Sequence, residues 1–149
     1  EVVGFNYRMT NMQAALGYGQ LKRIDSIIEK RTKIEKSYDN YLNNNSLVTK
    51  QICNFDHKSV CWLYSILVNV DYLGKDIPSI QKELFGKGID SRSFFYPLSI
   101  MPPYKKLKHN LKNISEHISQ RGICLPTFED LSDSQIEYVC RIFTEILEK

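Results

Sequence analysis

The run Cys61–Val70 carries apolar side chains on both alternating faces and is rich in β-branched and aromatic residues. Such a run is typical of a central strand that is covered on both sides. A strand of this kind cannot stand alone, because its apolar faces must be buried against other elements. The run therefore predicts a layered fold built around at least one buried strand.

A helical pattern precedes this strand. Thr10–Gln13 fits a capping box, and apolar residues then recur with a period near 3.6 as far as Leu42, which predicts one long helix or a bent pair. Small residues crowd its first half, at Ala14, Ala15, Gly17 and Gly19. Because each glycine lowers helix propensity by about 1 kcal/mol, the small side chains indicate close approach by another backbone.

Further elements follow the strand. Residues 77–85, framed by Pro78 and Gly86, predict a short helix, and residues 88–96 predict a second strand. A short helix around residues 115–121 stops at Gly122, and Leu125-Pro126 interrupts the chain before the last helix. That helix begins at the capping box Ser132–Gln135. This order of elements predicts an α/β fold with a short sheet covered by helices.

Composition excludes several classes of function. The 149 residues are 42% hydrophobic, which suits one compact domain, and the net charge of +3 gives no support for nucleic-acid binding. No apolar run reaches the ~18 residues that cross a bilayer, and no charged start leads into an apolar stretch that ends in small residues. The four cysteines are scattered. We expect a cytoplasmic protein with reduced thiols, no membrane contact and no metal site.

The common catalytic signatures are absent from the sequence, and the three histidines are isolated, so we expect no catalytic residue in this chain. One candidate site remains, where Asn6 and Arg8 stand just ahead of the capped helix start at Thr10. Helix N-termini attract anions, and an amide and a guanidinium add donors that suit phosphate or carboxylate. The alternative is a surface arginine beside an ordinary cap.

Residues 4–21, GFNYRMTNMQAALGYGQL, resemble the signature of the DegT/DnrJ/StrS family of pyridoxal-phosphate sugar aminotransferases. Later segments resemble the family in the same order. Trp62–Tyr64 is similar to its W-x-L-[YF] strand, Gly88–Arg92 to its G-I-x-[ST]-R strand, and Leu125-Pro126 to its closing L-P. Residues 94–104 are most similar to members that make 4-amino-4-deoxy sugars such as perosamine.

The resemblance implies the aspartate-aminotransferase fold (fold type I) and assigns this chain to its C-terminal, small-domain portion. Residues 1–45 would be a helical segment linking a large domain to the small domain, and residues 46–149 the small α/β domain. The large domain would lie upstream and carry the lysine that binds pyridoxal 5'-phosphate. We therefore expect this chain alone to be inactive.

The resemblance also implies roles for individual residues. Asn6 would reach the cofactor phosphate of the other subunit of a homodimer, and Arg8 would point toward that shared site. Arg92 and Tyr96 would line the entrance for the nucleotide-linked sugar. We expect the neighbouring Phe95 to have a packing role instead.

One position departs from the family pattern. Ser99 stands where many relatives have a histidine after Pro-Leu. No role of that histidine transfers to this chain.

The activity that the resemblance implies is transfer of an amino group from glutamate to a nucleotide-linked keto-sugar, for the amino sugars of surface polysaccharides. Two alternatives stay open. A dehydratase of the same family would use the same cofactor, with a histidine replacing the upstream lysine. A non-catalytic α/β interaction domain would instead bind a partner through the small-sided first helix and an exposed apolar stripe.

Overall fold

The computed structural model describes residue 5 and residues 7–52, 59–107 and 114–149. The α-helices of this part of the chain are α1 (Asn11–Leu21), α2 (Ile24–Leu42), α3 (Val70–Leu73), α4 (Ile77–Phe85), α5 (Ile114–Ser119) and α6 (Asp133–Leu147). Its strands are β1 (Val48–Lys50), β2 (Tyr64–Val68), β3 (Arg92–Ser93) and β4 (Gly122–Leu125). Short 3-10 turns cover Leu98–Ile100 and Pro102–Leu107.

The strands form one sheet in the order β1-β2-β4-β3, with every neighbouring pair antiparallel. Strand β2 lies inside this sheet, and its residues alternate between buried and half-buried. This confirms the predicted buried strand, although the strand is shorter than the apolar run and its second face is less covered than the first. The fold class predicted from the sequence, α/β with a short sheet covered by helices, is confirmed.

The core lies where α2, α4 and α6 meet the sheet. Helix α6 supplies the largest share, since its apolar stripe buries Ile136, Val139, Cys140, Ile142, Phe143, Ile146 and Leu147. Burying one such aliphatic side chain contributes about 1.5–3 kcal/mol relative to leaving it exposed. The predicted capping box starts this helix: Ser132 Oγ accepts from the Gln135 N–H at 3.3 Å. The Gln135 side chain accepts from the Ser132 N–H at 2.9 Å.

The predicted helix from Thr10 to Leu42 is a bent pair. It breaks at Lys22 and Arg23, where the Arg23 N–H donates to the Gln20 carbonyl at 3.0 Å instead of continuing the α-helical ladder. Helix α2 then packs against α6 through its buried face. The domain boundary after residue 45 stays a prediction.

Two strands were not predicted. Strand β4 replaces the simple interruption expected at Leu125-Pro126, and its four residues are all buried. Strand β1 pairs with the edge of β2 over only three residues. The predicted strand over residues 88–96 is reduced to Arg92–Ser93. Strands this short lack the alternation that identifies a strand in sequence.

Candidate functional site

The predicted anion site lies at the N-terminus of α1. Asn6 lies outside the described residues, whereas Arg8 is exposed two residues ahead of the N-cap Thr10. Thr10 Oγ accepts from the Gln13 N–H at 3.3 Å, and the Gln13 side chain accepts from the Thr10 N–H at 2.9 Å, as the capping box predicts. The arginine thus stands beside a correctly formed helix start.

The chemistry of this helix start fits an anionic ligand. An α-helix leaves its first four N–H groups without intrahelical partners, and the capping box of α1 satisfies those of Thr10 and Gln13. The first turn of α1 carries no acidic side chain that would compete for a bound anion. A guanidinium, exposed backbone N–H groups and the positive end of the helix dipole together suit the phosphate of a cofactor.

Helix α1 is exposed along its whole length, including apolar side chains such as Met12 and Leu16, which are 79% and 72% exposed. A Cβ added at Gly17 or Gly19 would have no atom of the described chain within 4 Å. The expected close neighbour is therefore not supplied by the described part of this chain.

The second group of predicted residues lies on and after β3. Arg92 Nη2 donates to Asp90 Oδ2 at 3.0 Å, and both side chains are exposed. Tyr96 is 74% exposed and Phe95 is 81% exposed. The described part of this chain does not bury Phe95, so its expected packing role stays a prediction.

Arg92 and Tyr96 do not share a cleft. Arg92 lines a cleft of about 560 Å³ together with residues of β4 and α6, including Tyr138. Tyr96 lines another cleft, of about 600 Å³, with Phe94 and with Arg121, which follows α5. The two predicted substrate residues thus line different clefts.

Ser99 has a hydrogen-bond partner within the described chain. Ser99 Oγ donates to Glu116 Oε1 at 2.9 Å, which joins the turn after residue 97 to α5. The serine hydroxyl is sufficient for this hydrogen bond to Glu116, so the bond does not require a histidine ring. Ser99 therefore helps to hold the segment that carries Tyr96.

Sequence reasoning missed a close contact between Phe94 and Gly122. The Phe94 N–H donates to the Gly122 carbonyl at 3.3 Å, directly beyond the paired residues of β3 and β4. A Cβ added at Gly122 would lie 2.1 Å from Phe94 Cγ. The sequence does show an aromatic residue at 94 and a glycine at 122. Predicting that they are in contact, however, requires the register of a two-residue strand.

Two negative findings concern the described residues. They include no group of three or more His, Cys, Asp or Glu side chains placed to hold a metal ion. Among the helices of these residues, none combines the length and the apolar character that crossing a bilayer requires.

Known proteins resemble this chain over nearly its whole length. Residues 1–144 match the family described as DegT/DnrJ/EryC1/StrS aminotransferases. GDP-perosamine synthase of Caulobacter vibrioides is 35% identical over 147 residues, which cover 98% of this chain and 39% of that protein. GDP-perosamine synthase of Escherichia coli O157:H7 is 34% identical over 145 residues, covering 97% of this chain and 38% of that protein.

Solved structures share the fold. Helicobacter pylori PseC, an aminotransferase involved in pseudoaminic acid biosynthesis, superimposes with a TM-score of 0.86 at 24% identity, covering 99% of this chain and 40% of PseC. The sugar aminotransferase CalS13 of Micromonospora echinospora gives a TM-score of 0.82 at 17% identity, covering 95% of this chain and 37% of CalS13. The α/β arrangement described above thus has the same fold as the matching part of these aminotransferases.

These matches confirm the family resemblance read from the signature at residues 4–21. The chain spans about two fifths of the length of the curated relatives it matches. It belongs to the DegT/DnrJ/EryC1/StrS aminotransferase family.

Proposed function

We propose that this chain is the C-terminal part of a pyridoxal-phosphate-dependent aminotransferase that transfers an amino group from glutamate to a nucleotide-linked keto-sugar. The observation that carries the proposal is the family match over residues 1–144, together with an exposed arginine at the start of α1. The similarity to GDP-perosamine synthases favours a 4-keto sugar as the acceptor. The product would be an amino sugar for surface polysaccharide, made in the cytoplasm.

Asn6 and Arg8 would hold the phosphate of pyridoxal 5'-phosphate in the other subunit of a homodimer. When bound, the cofactor supplies an electron sink for amino-group transfer. Arg8 would contribute charge-assisted hydrogen bonds to the phosphate, and the dipole of α1 would add to its field. The lysine that attaches the cofactor would come from a large domain upstream, so the chain printed here would be inactive alone.

Arg92 and Tyr96 would bind the nucleotide-linked sugar. The Arg92–Asp90 ion pair is exposed on both sides, and such pairs are worth only about 0–1 kcal/mol. Arg92 can therefore exchange that carboxylate for the diphosphate of a substrate, which its planar fork also matches. The exposed ring of Tyr96 offers a flat apolar face and a hydroxyl to the sugar or the base.

A spectroscopic experiment on the full-length protein tests this proposal. Addition of glutamate should remove the visible absorbance of the bound cofactor, and a nucleotide-linked 4-keto sugar should restore it. A spectrum that glutamate leaves unchanged would contradict an aminotransferase. Loss of water from the sugar without gain of nitrogen would identify the dehydratase of the same family instead.

Arg8 can be tested with a matched control. Arg8→Ala should weaken binding of the cofactor by roughly tenfold or more, since a hydrogen bond to a charged group is worth about 1.5–3 kcal/mol. Arg141→Ala removes a comparably exposed arginine, which pairs with Glu145 on α6, and should leave cofactor binding unchanged. Equal affinities in the two variants would remove Arg8 from the proposed site.

The non-catalytic alternative has one observation in its favour, the exposed apolar surface of α1. An interaction domain would use that surface for a partner and would bind no pyridoxal phosphate in any form of the protein. Cofactor bound by the full-length protein decides against it.

A further inference from the structure

Strand β4 begins at Gly122, where there is no room for a side chain. The residue is buried, and a Cβ added to it would lie 2.1 Å, 2.3 Å and 2.4 Å from Cγ, Cδ2 and Cδ1 of Phe94. The phenyl ring thus lies directly over the Gly122 backbone. Since Cγ is bonded to Cβ of Phe94, moving the far end of the ring cannot relieve the overlap.

Gly122 is required for its missing side chain rather than for an unusual backbone conformation. The described glycines with positive φ are Gly74 and Gly88, so the backbone of Gly122 is open to other residue types. A glycine inside a strand commonly marks a place where another group approaches closely. Here that group is the side chain of Phe94, whose own N–H donates to the Gly122 carbonyl at 3.3 Å.

The Phe94 contact fixes the start of the segment that carries Tyr96. Pro97, three residues later, is buried, so Phe95 and Tyr96 form an exposed pair between two buried or half-buried residues. Phe94 and Tyr96 also line the same cleft. A shift of the Phe94 ring therefore changes where the exposed pair points.

We propose that Gly122 is a positioning residue for the nucleotide-sugar site: by leaving room for the Phe94 ring, it sets the direction of the exposed Phe95–Tyr96 pair toward the substrate. This proposal rests on the proposed function and extends it to a residue that does not touch the substrate. In this proposal the Phe94–Gly122 contact, between the chain after β3 and the start of β4, positions the site together with the loop that carries Tyr96.

Steady-state kinetics on the full-length enzyme test the proposal. Gly122→Ala should raise the KM for the nucleotide-linked keto-sugar by about tenfold to a hundredfold, because displacements near 1 Å have effects of this size. The KM for glutamate and the rate of the glutamate half-reaction should stay unchanged. Gly86→Ala is the matched control, since its added Cβ comes no closer than 3.4 Å to Glu83 O.

A double variant separates positioning from general loss of structure. In Phe94→Ala the ring is gone, so adding Gly122→Ala to it should cause no further rise in the KM for the sugar. Additive effects, or equal losses in both half-reactions, would overturn the proposal. Phe94→Ala alone should also raise the KM for the sugar, which keeps the test valid if Gly122→Ala does not fold.

Proteolysis gives a readout that needs no activity. Chymotrypsin cuts after aromatic residues that no proline follows, and cleavage after Phe95 should be faster in full-length Gly122→Ala than in Gly86→Ala or in the wild-type protein. Equal cleavage rates would show that Gly122 does not hold the segment.

A wild-type enzyme that aminates no nucleotide-linked keto-sugar would overturn the proposed function instead. The cleavage rates would still test whether the Gly122–Phe94 contact holds the segment.

Discussion

Tyr38 joins three parts of the fold with one side chain. Its ring is buried and stacks on Tyr64 of β2 at a centroid distance of 4.5 Å, and its hydroxyl donates to the Pro126 carbonyl at 2.8 Å. Tyr64 in turn donates to Asp39 Oδ1 at 2.9 Å. Helix α2 is thereby tied to the centre of the sheet and to the chain that leaves β4.

Removing the Tyr38 hydroxyl should therefore destabilise the protein. Tyr38→Phe leaves the Pro126 carbonyl without this donor, and loss of a buried partner costs about 1–3 kcal/mol. Tyr72→Phe, at an exposed tyrosine, should change the free energy of unfolding by no more than about 0.5 kcal/mol. Urea denaturation of both variants checks this, and equal midpoints would contradict the proposed role of the hydroxyl.

The buried thiols predict how stability depends on pH. Burial raises the pKa of Cys61 and of Cys140 from 9.0 to about 12, and burial also raises the pKa of Tyr38 and of Tyr64. Above pH 9 the unfolded chain releases thiol protons that the folded protein keeps. The contribution of these thiols to the free energy of unfolding is therefore fully present below pH 9 and is lost as the pH rises toward 12.

We expect the urea midpoint to fall steadily as the pH is raised above 9, the ordinary thiol value. Cys140→Ala removes one of the titrating groups and should make the fall shallower. A midpoint that stays constant in this range would contradict the buried, protonated state of these side chains.

Individual site residues could be predicted only where they belong to a contiguous motif. Arg8 could be proposed because the residues around it form a long signature ahead of a helix cap, and its role stays a prediction. The exposure of Phe95 within this chain could not be predicted, because nothing local distinguishes a buried from an exposed aromatic residue after a two-residue strand. Gly122 was missed because its partner, Phe94, is 28 positions away and the pairing depends on tertiary register.

At the scale of elements, local chemistry predicts the helices well. Both capping boxes form as expected, and α4 has its proline near the start and its glycine just past the end. The short strands β1 and β4 were missed, because a strand gains its hydrogen bonds from partners distant in sequence. A glycine and a following proline also made β4 look like a turn.

The cap of α6 should contribute measurably to stability, because this helix supplies much of the core. Ser132→Ala removes the acceptor for the Gln135 N–H and should lower the free energy of unfolding by about 1 kcal/mol. Ser46→Ala, in an exposed turn, is the control and should have little effect. Thermal unfolding compares the two, and identical melting temperatures would show that the cap contributes nothing.

At the scale of the whole molecule, α1 is the most exposed of the described helices. Its apolar side chains, such as Met12 and Leu16, are exposed within the described residues. In the proposed homodimer, Asn6 and Arg8 of one subunit would serve the cofactor of the other.

A mixing experiment tests this sharing of sites. Full-length Arg8→Ala and a full-length variant of the upstream lysine should each have low activity alone. After the two are unfolded and refolded together, mixed dimers contain one site with both functional residues, so part of the activity should return. No gain on mixing would mean that each subunit builds its site from its own residues.

The most direct test of the central claim follows the transferred nitrogen. Full-length protein is incubated with heavy-nitrogen glutamate and a nucleotide-linked 4-keto sugar, and the sugar product is analysed by mass spectrometry. The account predicts that the heavy nitrogen appears in the sugar and that glutamate becomes 2-oxoglutarate. A sugar that gains no labelled nitrogen, from a protein that holds its cofactor, would contradict it.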